Sequence, residues 1–324
     1  MSSRTTQVSN DGKWDPETAK RINECELSII TCGNSGVGKS FIDNVLLGLV
    51  VFVHLYKAQS VTRLTEVAFT TIRNRKTAVY NIPGLKELSK TNVELNKVQI
   101  EKAFEPLPVQ VILSVFGVGD GGRIREEDLS THFSIQAAFA VHNASTVFVI
   151  NNVRPENFNT EYFTDTTVIL KEVLDWPEGK PLPIVFLECL FGQVDIETDP
   201  RIHTFRVNLL EAINMACPCK HSKQGPINTS DDLVAEAAEK LVKVKKEMES
   251  VRAKYKEDID TLAAKYEQQK AESAAMAERN AREMAQARAN FESTMQSLRH
   301  TRPSFGGSMG AGPGGVSFTL NVQF

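Results

Sequence analysis

The chain has 324 residues, 41% of them hydrophobic and 24% charged, with a formal net charge of −3 and a pI near 6.1. That length and apolar content allow one sizeable core and leave a remainder to be explained as extension or tail, while the near-neutral charge excludes nucleic acid or an anionic membrane as a partner chosen by overall charge. Five cysteines without framework spacing exclude a disulfide scaffold and fit a reducing, cytoplasmic compartment.

Residues 1–25 begin MSSRTTQVSNDGKWDPETAK, with no apolar h-region and no glycine at position 2. Neither a secretory signal nor N-myristoylation is indicated, and the stretch is expected to be a disordered leader. Leu27 to Leu47, LSIITCGNSGVGKSFIDNVLL, then supplies an apolar run, a glycine-rich turn and a helix-compatible segment. Gly33, Gly38, Lys39 and Ser40 fit G-x-x-x-x-G-K-[ST], the pattern of a loop that wraps phosphate in backbone N–H groups. Gly36 and Gly38 remove the Cβ obstruction, and the following helix adds its positive end. The expected phosphate-binding run is Gly33, Asn34, Ser35, Gly36, Val37, Gly38, Lys39, Ser40 and Phe41, with Lys39 reaching the outer phosphates and Ser40 ligating Mg²⁺. Val45 to Tyr56, VLLGLVVFVHLY, is too short for the ~20 residues that cross a bilayer, so it reads as the end of that helix running into a connection.

Glu66 to Ile72 and Thr77 to Ile82 are β-rich runs that read as a hairpin. The second ends Asn81-Ile82-Pro83-Gly84-Leu85, the kind of strand end where a nucleotidase places its γ-phosphate sensor, here the N–H of Gly84. Val109 to Val118, Thr146 to Asn151 and Ile184 to Leu190 are continuous apolar runs, as parallel strands covered on both faces require. Helical spacing over Glu126 to Val141 and Arg201 to Met215 completes an alternating pattern. The expected fold is α/β: a doubly wound, mostly parallel sheet with the ligand outside the carboxyl ends of its strands.

With these residues in place, the chain resembles the AIG-type or GIMAP GTPases, septin-like members of the P-loop GTPase class. The resemblance rests on GNSGVGKSFIDNVLLG, on Ser60-Val61-Thr62 and on Asn81 to Leu85, and covers residues 26–216. It implies a G domain that binds GTP or GDP with Mg²⁺, with Thr62 as the switch threonine closing on the metal beside Ser40, Gly84 as the γ-phosphate contact, and Asn151 in the base-reading strand end. It also implies a C-terminal coiled coil and homo-oligomers formed through both parts. The sequence departs from the family where Asn81 replaces an aspartate, where Asn151-Asn152-Val153-Arg154 replaces N/T-K-x-D, and where Leu85 stands in place of the water-positioning glutamine of small GTPases. Hydrolysis then needs a group from elsewhere, and Arg123 and Arg125 in GVGDGGRIR are the candidates, acting from a second protomer. A slow or partner-activated switch competes with a scaffold working mainly through its helix, and a P-loop ATPase or kinase stands third.

Residues 217–229 read as a linker. Its Cys217-Pro218-Cys219-Lys220-His221 lacks the spacing of a zinc site. Residues 230–300 contain neither Gly nor Pro, and Val234, Ala237, Leu241, Val244, Met248, Val251 and Tyr255 keep a three-four spacing. The spacing skips to Ile259, Leu262 and Tyr266, and returns at Met284, Ala287, Phe291, Met295 and Leu298, the signature of a coiled coil interrupted by stutters. In residues 301–324 a flexible run from Gly306 to Gly315 precedes Val316, Phe318, Leu320, Val322 and Phe324 alternating with polar residues, which reads as a tethered amphipathic strand able to add to a sheet edge.

Overall fold

The computed structural model describes residues 6–9, 13–53, 62, 64–85, 90–105, 109–191, 194–300, 306–312 and 315–321. Ser60, Val61, His54 to Tyr56, and Val322 to Phe324 lie outside the described residues. The chain divides into two compact units, residues 1–248 and 249–324.

The first unit is built on a seven-stranded sheet. Its strands are β1 (Thr6–Gln7), β2 (Leu27–Cys32), β3 (Glu66–Ile72), β4 (Arg75–Asn81), β5 (Gln110–Gly117), β6 (Thr146–Val153) and β7 (Ile184–Glu188), in the spatial order β1-β3-β4-β2-β5-β6-β7. β4, β2, β5, β6 and β7 are mutually parallel, whereas β3 runs antiparallel to β4, and β1 antiparallel to β3. The helices are α1 (Pro16–Asn23), α2 (Lys39–Leu47), α3 (Lys90–Phe104), α4 (Glu126–Phe139), α5 (Thr160–Val173), α6 (Pro200–Met215) and α7 (Asp231–His300).

Every residue of β2 and β5 is buried, which is why these strands read as predominantly apolar runs. Their side chains alternate between faces. Leu27, Ile29, Val111, Leu113 and Val115 join Ile42, Val45 and Leu46 of α2 and Ile202, Phe205 and Leu209 of α6 in one core. Ile30, Cys32 and Ile112 pack into another with Ile22 of α1, Ile100 and Phe104 of α3, and Ile135 and Phe139 of α4. A third gathers Phe148 and Ile150 of β6 with Leu170 and Val173 of α5, and with Ala237 and Leu241 of α7. The sheet is therefore covered on both sides, as the alternating pattern requires.

Several expectations are corrected. The leader is folded in its described part: Asp15 Oδ1 caps α1 by accepting from the amides of Glu17 and Thr18, Pro16 opens the helix, Ile22 is buried, and β1 extends the sheet. The hairpin turn is two residues, Arg73 and Asn74, at φ 49° and 63°, so β4 begins at Arg75. Residues 217–229 are no free linker, because Cys219 and Gln110 exchange backbone hydrogen bonds, the Gln224 amide donates to the Ala138 carbonyl, and Ile227 is buried. The run from Gly306, expected to be flexible, is a strand in part. β8 (Gly306–Gly312) pairs antiparallel with β9 (Gly315–Asn321) as a separate two-stranded sheet, since backbone pairing needs no side chain. None of the helices is long and apolar enough to cross a membrane, among the described residues.

Candidate functional site

The phosphate-loop pattern falls between the carboxyl end of β2 and the start of α2, at the centre of the sheet. Gly38 caps α2 at φ 93°, and the first helical bond runs from the Ile42 amide to the Gly38 carbonyl at 3.0 Å, so the N–H groups of the first turn face the loop. Gly38 is also sterically required, since a Cβ there would stand 2.2 Å from Asn151 Nδ2. That amide group arrives from β6 and donates to the Val37 carbonyl at 2.8 Å, fixing the loop from the neighbouring strand.

Lys39 is 93% buried, its Nζ donating to the carbonyls of Gly33 at 3.1 Å and Asn34 at 2.8 Å. The ammonium thus lies across the loop. Ser35 Oγ is buried with no hydrogen-bond partner among the described residues. Gly84 presses against it so closely that a Cβ would come within 2.3 Å of Ser35 Oγ and 2.4 Å of its amide nitrogen. The loop is braced from the other side by Asn34, whose Nδ2 donates to Asp128 Oδ1 at 2.9 Å and whose Oδ1 accepts from Thr131 Oγ1 at 2.8 Å. Asp128 Oδ2 in turn accepts from the Gly117 amide at 2.8 Å. Burial raises the Asp128 carboxyl above the usual range, opposed by those hydrogen bonds and by the Arg125 charge. The α4 end of this brace carries no sequence motif, so reading the chain alone missed Asp128 and Thr131.

Ser40, Thr62 and Asn81 converge from α2, the connection before β3 and the end of β4. Ser40 Oγ lies 3.4 Å from Thr62 Oγ1, donates to Asn81 Oδ1 at 3.3 Å and accepts from Asn81 Nδ2 at 3.1 Å. Hydroxyl and amide oxygens in one cluster are the donor set a hard divalent cation selects. A fourth member was not anticipated: Asn81 Nδ2 also donates to Glu66 Oε2 at 3.0 Å, and Glu66 Oε1 accepts from Gln7 Nε2 of β1 at 2.9 Å. Glu66 and Asn81 are register partners across β3 and β4, a placement visible once the hairpin register is known. Beneath the loop, Asp43 Oδ1 accepts from Thr31 Oγ1 at 2.5 Å, and complete burial pushes its carboxyl up to about 8.

The remaining candidates are scattered differently. Phe41 packs its ring against the core beside α2. Leu85 is 98% buried in the second core. Asn152 is exposed at φ 62°, and Arg154 and Glu156 form an exposed ion pair at 3.8 Å. Arg123 and Arg125 are exposed, and neither guanidinium hydrogen-bonds a phosphate-loop residue among the described residues. Arg125 lies beside the backbone of Gly117 and Gly119, next to Asp128. Cys219 Sγ is 3.9 Å from His221 Nε2, which also meets Ser145 Oγ at 2.9 Å, while Cys217 is exposed. No group of three His, Cys, Asp or Glu side chains placed to hold a metal ion forms there or elsewhere among the described residues.

Residues 27–181 match the family model described as the AIG1 family. The chain is similar to GTPase IMAP family member 8 of Rattus norvegicus, 32% identical over 176 residues that cover 52% of this chain and 24% of that protein. It thus spans about a quarter of that relative's length. Among solved structures, it is similar to Toc33 from Arabidopsis thaliana in complex with Mg²⁺ and GMPPNP, at 14% identity over 65% of this chain and 99% of that one, with a TM-score of 0.42. It is also similar to Era in complex with MgGDPNP and nucleotides of 16S ribosomal RNA, at 19% identity over 64% and 61%, with a TM-score of 0.39.

Proposed function

We propose that this protein, whose residues 27–181 match the AIG1 family model, binds a guanine nucleotide, GTP or GDP, with Mg²⁺, and acts as a slow or partner-activated switch that self-associates. The observation that carries the reading is the phosphate loop itself: a buried lysine laid over the Gly33 and Asn34 carbonyls, and a buried Ser35 hydroxyl with no partner. The Ser35 hydroxyl would find its missing partner in a phosphate oxygen, and Lys39 Nζ would exchange a loop carbonyl for another. Gly33 to Phe41 form the cradle, Gly84 closes it, Asn151 holds it from β6, and Ser40 and Thr62 are the metal ligands. Mg²⁺ neutralises phosphate charge when bound. The rat relative's name, a GTPase, supports the assignment of guanine nucleotide.

Leu85 is sealed in the core, so no residue directly after Gly84 orients water, and turnover by the isolated chain is slow. Arg123 or Arg125 of a second protomer is the proposed source of the missing charge. Self-association is supported by the exposed apolar stripe Val251, Tyr255, Ile259, Leu262 and Tyr266 on α7, which the single chain leaves in water. The same buried leucine, together with the absent base-reading carboxylate, favours one alternative: a scaffold that holds nucleotide without turning it over and works mainly through its helix.

The test is to denature the purified protein and identify any released nucleotide by chromatography. Guanine nucleotide supports the assignment, adenine nucleotide overturns its base specificity, and release of none combined with no uptake of labelled GTP overturns it entirely.

A further inference from the structure

The aspartate that ordinarily ends the strand before the Pro-Gly turn contributes a negative charge to the metal corner, and this chain has the neutral Asn81 there. A carboxylate is nevertheless present. Glu66 is 91% buried, directly across the β3–β4 ladder from Asn81, and its Oε2 accepts from Asn81 Nδ2 at 3.0 Å. The same Asn81 Nδ2 lies 3.1 Å from Ser40 Oγ and 3.5 Å from Thr62 Oγ1, so one amide joins the carboxylate to both hydroxyls.

The other Glu66 oxygen accepts from Gln7 Nε2 at 2.9 Å, and no lysine or arginine forms an ion pair with this carboxylate among the described residues. Two neutral amide donors hold it in place without cancelling its charge. A buried carboxylate is costly unless a cation lies close. The cation-selecting oxygens of Ser40 and Thr62 are its neighbours one amide away.

We propose that Glu66 is the charge-bearing positioning residue of the Mg²⁺ corner, acting through Asn81: the carboxylate anchors the Asn81 amino group, which turns Asn81 Oδ1 towards Ser40 and the metal's water shell. The acidic function is thereby relocated from β4 to the facing residue of β3, and Gln7 of β1 fixes the orientation of the relocated group. This rests on the nucleotide reading above and adds to it a residue outside every phosphate-binding motif.

The test compares the affinity of a fluorescent GDP in saturating Mg²⁺ with its affinity in EDTA, for the full chain. The ratio measures coupling between metal and nucleotide. Glu66→Gln keeps size while removing the charge and turning one of the two acceptor oxygens into a donor, which Gln7 can meet by turning over its own amide, and it lowers that ratio by about tenfold or more, the usual effect of removing a group that supports a metal ligand, while affinity in EDTA stays at the parental value. Asn81→Asp alone does not raise the ratio, because it sets two carboxylates side by side. Combining Glu66→Gln with Asn81→Asp returns one carboxylate to the corner and restores the ratio to within about threefold of the parent, a non-additivity that a merely structural loss does not produce. A parental ratio in Glu66→Gln, or no recovery in the double variant, overturns the proposal while leaving nucleotide binding intact. Failure of the parent to bind in either condition overturns the nucleotide reading and this inference with it.

Discussion

The two ends of the candidate site are built on different principles. At the phosphate end, recognition is a matter of backbone shape: glycines at positive φ, a helix start, and Lys39 held by main-chain carbonyls. At the base end, recognition depends on side chains, and those present are an asparagine occupied with the Val37 carbonyl, an exposed asparagine, and an Arg154–Glu156 pair turned to solvent. The cradle depends on several glycines and a helix start acting together, whereas a base-reading carboxylate is one side chain.

That contrast can be broken most directly at Lys39. Lys39→Ala should weaken labelled GTP by about a hundredfold or more, as loss of a charge-assisted contact of ~3 kcal/mol implies, with little change in thermal midpoint; equal affinities of variant and parent in a titration would remove the phosphate end from the comparison. Gly38→Ala couples the two ends, because the added Cβ meets Asn151 Nδ2 at 2.2 Å and the residue sits at φ 93°. A loss of about tenfold in nucleotide affinity is expected, and adding Asn151→Ala should recover part of it by removing the collision though not the strain. Full recovery would show that strain at Gly38 is negligible.

The base end should respond less. Arg154→Ala and Glu156→Ala are expected to change GTP affinity by less than about threefold, as exposed ion pairs do. Competition between GTP and ATP should reveal discrimination far below the ~10⁴ that a buried hydrogen-bonding base pocket provides. A discrimination that large would mean that the base end has a reader other than the strand-end residues.

The smallest effects are on stability. Asp43, under the phosphate end, has its folded carboxyl raised to about 8, so between its ordinary value near 4 and pH 8 folding takes up a proton, and its contribution is lost as pH rises through that window. Asp43→Asn should therefore hold its thermal midpoint between pH 6 and 8 where the parent's falls, by roughly 2–4 °C for each kcal/mol involved. His132, packed against Phe116 and Phe148, is pushed down to about 4 by burial, and its contribution is present above pH 6.5 and lost as pH falls through 4. Calorimetry of parent and variant across pH 4 to 8 measures both slopes.

Much of this architecture was legible in the residues. The apolar runs of β2, β5, β6 and β7 mark a sheet covered on both faces, and the glycine pattern marks its central loop, because each signal is local. Signals that depend on distant partners were not legible. Asp15 and Pro16 were overlooked within an otherwise polar leader, although together they form a capped helix start, and the burial of Ile22 depends on a surface made by other elements. Glu66 opens an ordinary β-rich run, and only the two-residue turn at Arg73 and Asn74 sets it opposite Asn81. Asp128 and Thr131 brace Asn34 from 94 and 97 residues away, a distance that no motif spans.

In helix α7, Ala237 and Leu241 are fully buried in the third core and Lys240 lies over the Phe133 ring at 5.1 Å, yet from Val251 to Met295 its large apolar residues are exposed. Starting a helix is the unfavourable step, since several residues must be ordered before the first hydrogen bond is gained, whereas each later residue adds a bond for one residue ordered. Tertiary packing of the opening turns meets that initiation cost within the folded domain. Residues 249–300 then only propagate, helped by (i, i+4) pairs such as Glu278 with Arg282 and Arg279 with Glu283. The domain acts as a template for helical structure in the sequence that follows it, and the same residues released as a free peptide would have to nucleate unaided.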